Sequence, residues 1–332
     1  MTAKKRILVT GGAGYIGSHC VRLLLDKGYS VRVLDSLLFG DAALQPLMVE
    51  AADRLELIKG DIRHVEDVTA ATKGCQGVIH LAGIVGDPAC ELDRDATHTI
   101  NFEATKILVE MAKYAGVERF VFASTCSVYG AAEDYLLNEG SVLNPLSLYA
   151  ETNLRSEYVI LRGFEGTDTV PVIVRFATVY GSSARMRFDL VVNIMTAKAH
   201  YDGKVRVFGG DQWRPNVHVH DAARGLVACL EAPAERVRGE VFNIGSNDQN
   251  YRIRDLAEVV CRTLPGTQIE NMKDNPDRRC YHVSFDKARY VLGYEVHHTV
   301  AHGVLEIAQL LGSGVVDNYL DDRYYNVRYA YK

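Results

Sequence analysis

Hydrophobic residues in the first half of the chain fall in short, nearly continuous runs. The runs are "RILVT" (6–10), "SVRVLD" (30–35), "LELIKGD" (55–61), "GVIHLAG" (77–83), "RFVFAS" (119–124) and "TVPVIVRF" (169–176). Runs with so little polar alternation suit strands covered on both faces. Between them the apolar positions recur every three to four residues. Ile16, Cys20, Leu23 and Leu24 make one stripe within 15–27, and Ile100, Ala104, Ile107, Leu108 and Met111 another within 97–115. That spacing predicts helices, and strand–helix alternation predicts a parallel sheet with helices on both faces. After residue 175 the pattern loosens. Helical spacing over 188–200, 221–231, 253–263 and 300–311 mixes with short strands, "VRVFG" and "VFNIG". The expected fold is α/β: a doubly wound parallel sheet over 1–174, with a smaller mixed α/β substrate region over 175–332 partly interleaved with it. The tail "DNYLDDRYYNVRYAYK" holds five tyrosines, which predicts packing on the body or on a partner chain.

Composition narrows the class. The 332 residues are 48% apolar and 24% charged, an ordinary globular balance. A net charge of −5 argues against nucleic-acid or membrane-surface binding, which needs a basic face. Seven cysteines without a C-x-x-C pair read as free thiols in a reducing compartment, with no metal site. No apolar run reaches membrane-spanning length, and "MTAKKRILVTGG" enters a strand without the h-region of a signal peptide. A cytoplasmic protein is expected.

"TGGAGYIG" follows the first strand and opens the first helix, with Gly11, Gly14 and Gly17 three apart and Gly12 adding a G-x-G-x-x-G reading. Glycines there let backbone N–H groups approach a pyrophosphate at a helix N-terminus, the Rossmann-type arrangement. The second strand ends at Asp35, whose carboxylate can accept ribose hydroxyls and repels a 2′-phosphate. No Lys or Arg occurs in the following "SLLFG". NAD is expected over NADP.

In chain order, "TGGAGYIG", "GDI" (60–62), "HLAG" (80–83), "STCSVYG" (124–130), a helix opening "SLYAETNLRSE" (147–157) and "RPNVHVHDAARG" (214–225) resemble an extended short-chain dehydrogenase/reductase. The likeness is to the nucleotide-sugar epimerase/dehydratase branch, which includes UDP-galactose 4-epimerase, and it covers nearly the whole chain. The resemblance implies an NAD-dependent enzyme acting on a UDP-, GDP- or dTDP-linked sugar, and a homodimer formed through 97–115 and 148–162. It makes Tyr149 the acid/base, Thr125 the hydroxyl that bonds the same sugar oxygen, and Asn153 the occupant of the usual lysine position. Cofactor contacts are then expected from Gly11, Gly14, Tyr15, Ile16, Gly17, Asp35, Asp61, Ile62, Leu81, Ala82, Ser124, Tyr149, Asn153 and Phe176. Substrate contacts are expected from Val85, Thr125, Cys126, Ser127, Thr178, Asn193, Arg214, Arg278 and Arg279. Thr178 stands where the branch usually has asparagine. His218 and His220 alternate on a strand and read as structural, with Asp221 as the N-cap of the next helix.

Two departures shape the expected chemistry. Dehydratases and decarboxylases of the branch carry acids just after the Ser/Thr position, typically Glu two residues on. Cys126 and Ser127 stand there, so oxidation and reduction at one carbon, C4, is favoured over elimination. Asn153 keeps the i, i+4 geometry with Tyr149 but brings no charge. A tyrosine with a pKa near 10 needs a shift of about three units to work at neutral pH, about 4 kcal/mol. Three arrangements answer this: a less acidic tyrosine, a cation from elsewhere in the fold, or a protein that binds nucleotide sugar with little turnover. A 4-ketoreductase and a 4,6-dehydratase stay open beside the epimerase and dehydrogenase.

Overall fold

The computed structural model describes residues 5–272 and 279–329. Its strands are β1 (Arg6–Thr10), β2 (Ser30–Asp35), β3 (Leu55–Lys59), β4 (Gly77–His80), β5 (Arg119–Thr125), β6 (Ala131–Leu137), β7 (Val170–Phe176), β8 (Thr178–Tyr180), β9 (Lys204–Phe208), β10 (Trp213–His218), β11 (Glu240–Ile244), β12 (Asn250–Arg252), β13 (Gln268–Met272) and β14 (Cys280–Val283). Seven of them make one wholly parallel sheet, in the order β11-β7-β5-β4-β1-β2-β3. The chain order reverses between β1 and β4, where Val9 lies opposite Ile79. The crevice at the strands' carboxyl ends there is where sheets of this topology bind dinucleotides.

The hydrophobic runs explain the sheet. Every residue of β4 and β7 is buried. Ile7, Val9 and Val121 fill the core on one face, while Leu8, Phe120 and Phe122 fill that on the other. The first helix, Gly17–Asp26, turns Cys20, Val21, Leu24 and Leu25 inward.

Beyond residue 175 the elements divide between two layers. "VFNIG" is the edge strand β11 of the main sheet, with Ile244 opposite Phe176. The helix Val219–Glu231 packs beside the first helix and β5. The remaining elements form a smaller assembly from β8-β10-β12, β9-β13 and three helices: Val191–Asp202, Ile253–Thr263 and Val300–Gly312. Its core includes Val192, Val205, Leu256 and Val304. β6 was not foreseen; it pairs in parallel with β14.

Two local expectations are corrected. The stretch 97–115 is not one helix: a π-helical turn, Thr99–Glu103, separates Arg94–His98 from Ala104–Tyr114. Asp221 is not an N-cap. The cap is His218, whose ring accepts the His220 N–H, and Asp221 sits fully buried within the first turn. The tail packs on the body, with Tyr319 and Tyr325 buried and Tyr319 stacked on Tyr201 at 5.2 Å. Among the described residues no helix is long and apolar enough to cross a membrane.

Candidate active site

A cavity of about 500 Å³ opens at the β1/β4 crevice. Gly11, Gly14, Tyr15, Ile16, Gly17, Asp35, Asp61, Ile62, Leu81, Ala82 and Val85 all line it. The glycines are dictated by space. Gly11 has φ +71°, and a Cβ there would stand 2.8 Å from the Ala82 backbone nitrogen. A Cβ on Gly17 would strike the Gly11 carbonyl, and one on Gly12 the Val33 methyls that seat the first helix on β2. No side chain caps that helix; Ser18 N bonds the Gly14 carbonyl at 3.1 Å, and the glycine-rich turn that leads into the helix lines the cavity. Asp35 accepts from Ala13 N (3.0 Å) and Leu37 N (2.9 Å), one on each oxygen. Each oxygen keeps a lone pair for a ribose hydroxyl. Burial raises the Asp35 pKa and the two N–H bonds oppose that rise. At the adenine end the Arg63 guanidinium holds the Asp61 carboxyl below its usual range. The cradle fits a dinucleotide with free ribose hydroxyls.

The floor is braced by a polar chain. Thr10 Oγ1 bonds His80 Nδ1 (2.7 Å) and accepts from Leu81 N and Ala82 N. His80 Nε2 reaches Thr105 Oγ1 (3.1 Å), and burial keeps this histidine neutral, with its pKa down at about 4. Asn101 sits on the π turn. Its amide accepts from Ile84 N (2.7 Å) and donates to Ile84 O (2.9 Å), clamping the loop that ends in Val85. The π turn thus aims one side chain at a loop, a use typical of such turns.

The helix Leu148–Gly163 carries the proposed acid/base. Ser147 caps it, accepting from Ala150 N and donating to Asp87 Oδ1 (2.7 Å). Tyr149, Asn153 and Glu157 share one face of it. Asn153 turns its amide back on the helix, Nδ2 to Tyr149 O at 2.9 Å. Arg155 points away and pairs with Glu151 (2.8 Å). Burial pushes the Tyr149 phenol above its ordinary pKa, helped by Cys90 and Asp87, while Arg187 and a hydrogen bond from Thr125 pull it down. Thr125 ends β5 and is held by Ser127, accepting from its N–H at 3.1 Å.

Several expected contacts take other places. Ser124 donates to Glu157 Oε1 (2.5 Å), within a buried network in which Arg175 bonds both Glu157 oxygens and the Tyr129 hydroxyl. Cys126 is fully buried with its thiol on the Arg175 carbonyl, so it does not face a substrate. Ser127 meets the Tyr281 hydroxyl at 3.3 Å. Phe176 packs in the sheet core. Thr178 is half-buried, paired across from Asn216. Asn193 is fully buried and serves the loop above it: Oδ1 accepts from Gly181 N, and Nδ2 donates to Tyr15 Oη (3.1 Å) and Arg187 O (2.8 Å). Arg214 donates to the carbonyls of Trp213 and Arg279, its guanidinium 5.2 Å over the Tyr281 ring. Arg279 pairs with Asp87 at 3.0 Å, and Arg278 lies outside the described residues.

Three further residues line the cavity and were not among the expected contacts: Arg185, Arg187 and Asn326. Arg185 stacks 3.7 Å over Phe39 and donates to Asn326 Oδ1 (2.6 Å). Asn326 in turn donates to Val85 O (3.1 Å), so the tail ties down the cavity rim. The available signal was "RMRFD", two arginines two apart followed by an acid.

The histidines form a separate knot. His218 Nε2 bonds Glu306 Oε2 at 2.7 Å and its ring stacks on His298 at 4.3 Å. Burial raises the Glu306 carboxyl, but hydrogen bonds from His218 and Ser182 outweigh it and hold it at about 2. Asp221 Oδ2 accepts from His297 N, His298 N and His298 Nδ1. His218, Asp221 and His298 have ligand-type atoms within 4.8 Å of one another. Those atoms of His218 and Asp221 are hydrogen-bonded within the protein.

A glycine cradle at the switch point, a carboxylate at the end of β2 and a tyrosine-bearing helix beside β5 are the features of an extended short-chain dehydrogenase/reductase. Residues 7–245 match the model of the NAD dependent epimerase/dehydratase family, and the chain belongs to that family. The UDP-glucose 4-epimerase of Bacillus subtilis is 33% identical over 276 residues, covering 76% of this chain and 80% of that one. The UDP-glucose 4-epimerase of Corynebacterium glutamicum is 27% identical over 330 residues, 94% of this chain and 97% of that one. The solved structure of UDP-glucuronic acid 4-epimerase from Bacillus cereus, in complex with UDP-glucuronic acid and NAD, is 28% identical with a TM-score of 0.83, covering 93% of this chain and 99% of that one. The protein is an NAD-dependent enzyme of the nucleotide-sugar class.

Proposed function

We propose that the protein is a nucleotide-sugar 4-epimerase that works by reversible oxidation at C4. The observation that carries this reading is the Thr125–Tyr149 pair at the end of β5, with no carboxylate beside it on "TCSV". Thr125 holds the C4 oxygen and Tyr149, as phenolate, takes its proton. NAD, which the glycine cradle and Asp35 would hold, would supply the hydride acceptor for C4 and the donor for its return. Tyr149 gives the proton back once the keto sugar presents its other face. The two positions after Thr125 supply no second base for elimination: Cys126 is buried in the core, and the Ser127 hydroxyl is too weak an acid to replace a carboxyl group.

A panel of UDP-, GDP- and dTDP-sugars tests the reading. One of them is expected to be converted to its C4 epimer without net change in NADH. Stoichiometric NADH production would make the enzyme a dehydrogenase, and consumption of added NADH a ketoreductase. A raised melting temperature with no conversion of any sugar would leave a binding protein.

The same reading includes a homodimer through the helices Ala104–Tyr114 and Leu148–Gly163. They pack side by side and leave Tyr114 (85%) and Tyr158 (60%) exposed. The mass in solution is expected to be twice that of the chain; a monomer at all concentrations contradicts this.

A further inference from the structure

The wall of the dinucleotide cavity holds a buried cation, Arg185, that meets no carboxylate among the described residues. Arg32, Arg175 and Arg187 are buried too, and each pairs with an acid: Glu56, Glu157 and Asp189. Arg185 is 8% exposed, donates Nη2 to Asn326 Oδ1 at 2.6 Å and lies over the Phe39 ring. Its Nε is buried with no hydrogen-bond partner. Burial pulls its pKa down to about 9, and Arg187 pulls the same way. The loop that carries it is fastened to the glycine-rich turn. Ser183, two residues earlier, donates to the Tyr15 carbonyl (3.0 Å) and meets Ser18 Oγ (3.3 Å). Phe39 follows β2 and Val85 follows β4, the two strands beside β1. The guanidinium reaches Phe39 directly and Val85 through Asn326, so it spans the crevice at the β1 turn.

We infer that the Arg185 guanidinium binds the pyrophosphate of the dinucleotide, and that the C-terminal tail holds it there through Asn326. The pyrophosphate is the anionic part of NAD, and in a cradle of this kind it lies at the glycine-rich turn. A guanidinium offers parallel donors to phosphate oxygens, and Nε is a donor left over. A buried charge without a partner is unfavourable, so an anion brought to this wall stabilises it. The diphosphate of a nucleotide sugar has the same chemistry. Phe39 and the glycine-rich turn favour the dinucleotide, because both belong to the cofactor side of the crevice. The tail is built onto the same loop. Phe188 N donates to the Tyr324 carbonyl at 3.0 Å, and the Phe188 ring meets Tyr319 and Tyr324 edge-on. Tyr325 is buried in one cluster with Tyr15 and Phe188. The tail thus straps the arginine's loop to the loop after β4, and cofactor release requires this strap to give. The inference concerns the cofactor alone and does not depend on which carbon of the sugar reacts.

Calorimetric titration with NAD tests this without turnover. Arg185→Met should bind NAD about ten- to a hundredfold more weakly than the wild type, the loss expected for a hydrogen bond to a charged group. ADP-ribose, which keeps the pyrophosphate, should lose the same factor, and adenosine, which lacks it, should lose none. An equal loss for adenosine overturns the inference, because it makes Arg185 a packing residue. Unchanged NAD affinity with a raised KM for the nucleotide sugar also overturns it, by giving the arginine to the substrate's diphosphate. The tail has its own test. Asn326→Ala should release NAD about several-fold faster in a chase with excess ADP-ribose, since one hydrogen bond to the guanidinium and one to Val85 are lost. An unchanged release rate contradicts the strap. Should Arg185→Met fail to fold, Asn326→Asp keeps the test. Its carboxylate pairs with the guanidinium and competes with the pyrophosphate, so NAD affinity should still fall. Affinity equal to that of the wild type contradicts the inference.

Discussion

Tyr149→Phe should lower turnover by about 10²–10⁴-fold, the usual contribution of a positioned acid/base. The folded enzyme should still hold NAD, because the cradle is built from β1, β2 and β4 and not from this helix. The loss should fall on kcat, since the proton is exchanged only as the C4–H bond breaks. Among the described residues, the Asp87 carboxylate acts on the phenol and is itself held by Arg279 and Ser147. The Thr125 hydroxyl is far too weak an acid, Cys126 is sealed in the core, and burial holds the Cys90 thiol at about 12. Phenylalanine keeps the ring and its packing, so stability should change little. Steady-state kinetics, with the NAD content of the purified protein measured in parallel, decide the matter. Activity within a few-fold of wild type would remove Tyr149 from the chemistry.

The second large effect lies beneath the site. Arg175→Met should destabilise the fold by about 3–5 kcal/mol, because it strands the Glu157 carboxylate in the core. Both side chains of this pair are only 4% exposed, and the closest approach is 2.7 Å. Glu157 also takes the Ser124 hydroxyl, so the network locks the Tyr149 helix, two turns beyond its tyrosine, to the end of β5. Removing both charges together should cost much less than removing one. Arg175→Met with Glu157→Leu is therefore expected to recover most of the stability. Urea unfolding of the two variants is the check. A double variant as unstable as the single one would mean that packing, not the stranded charge, sets the cost.

The chemistry near β1 and β2 was legible because glycine and aspartate there answer local demands. Gly11 needs a left-handed backbone and Gly17 has no room for a Cβ, so sequence spacing and structure coincide. The bounds of β1 and β2 could be read directly from their hydrophobic runs. What stayed hidden depends on long-range packing. "VFNIG" is a short apolar run whose sheet is chosen by β7, 64 residues or more away. The π turn at Thr99–Glu103 leaves the hydrophobic stripe intact and shows only through Asn101 and Ile84. Asn193 looked like a polar residue available to a sugar. Its amide is spent inside the loop it supports, which places Arg187. Asn153 raised the question of a missing cation, and the fold shows its amide spent on the Tyr149 carbonyl of its own helix.

The central claim is that C4 of the sugar gives up its hydrogen as hydride and receives the same hydrogen back. The most direct measurement uses whichever nucleotide sugar the panel shows to turn over, deuterated at C4, with the product read by nuclear magnetic resonance. The account predicts the C4 epimer with deuterium still at C4 and none released to water. Deuterium lost to solvent, or found at another carbon of the sugar, would contradict it.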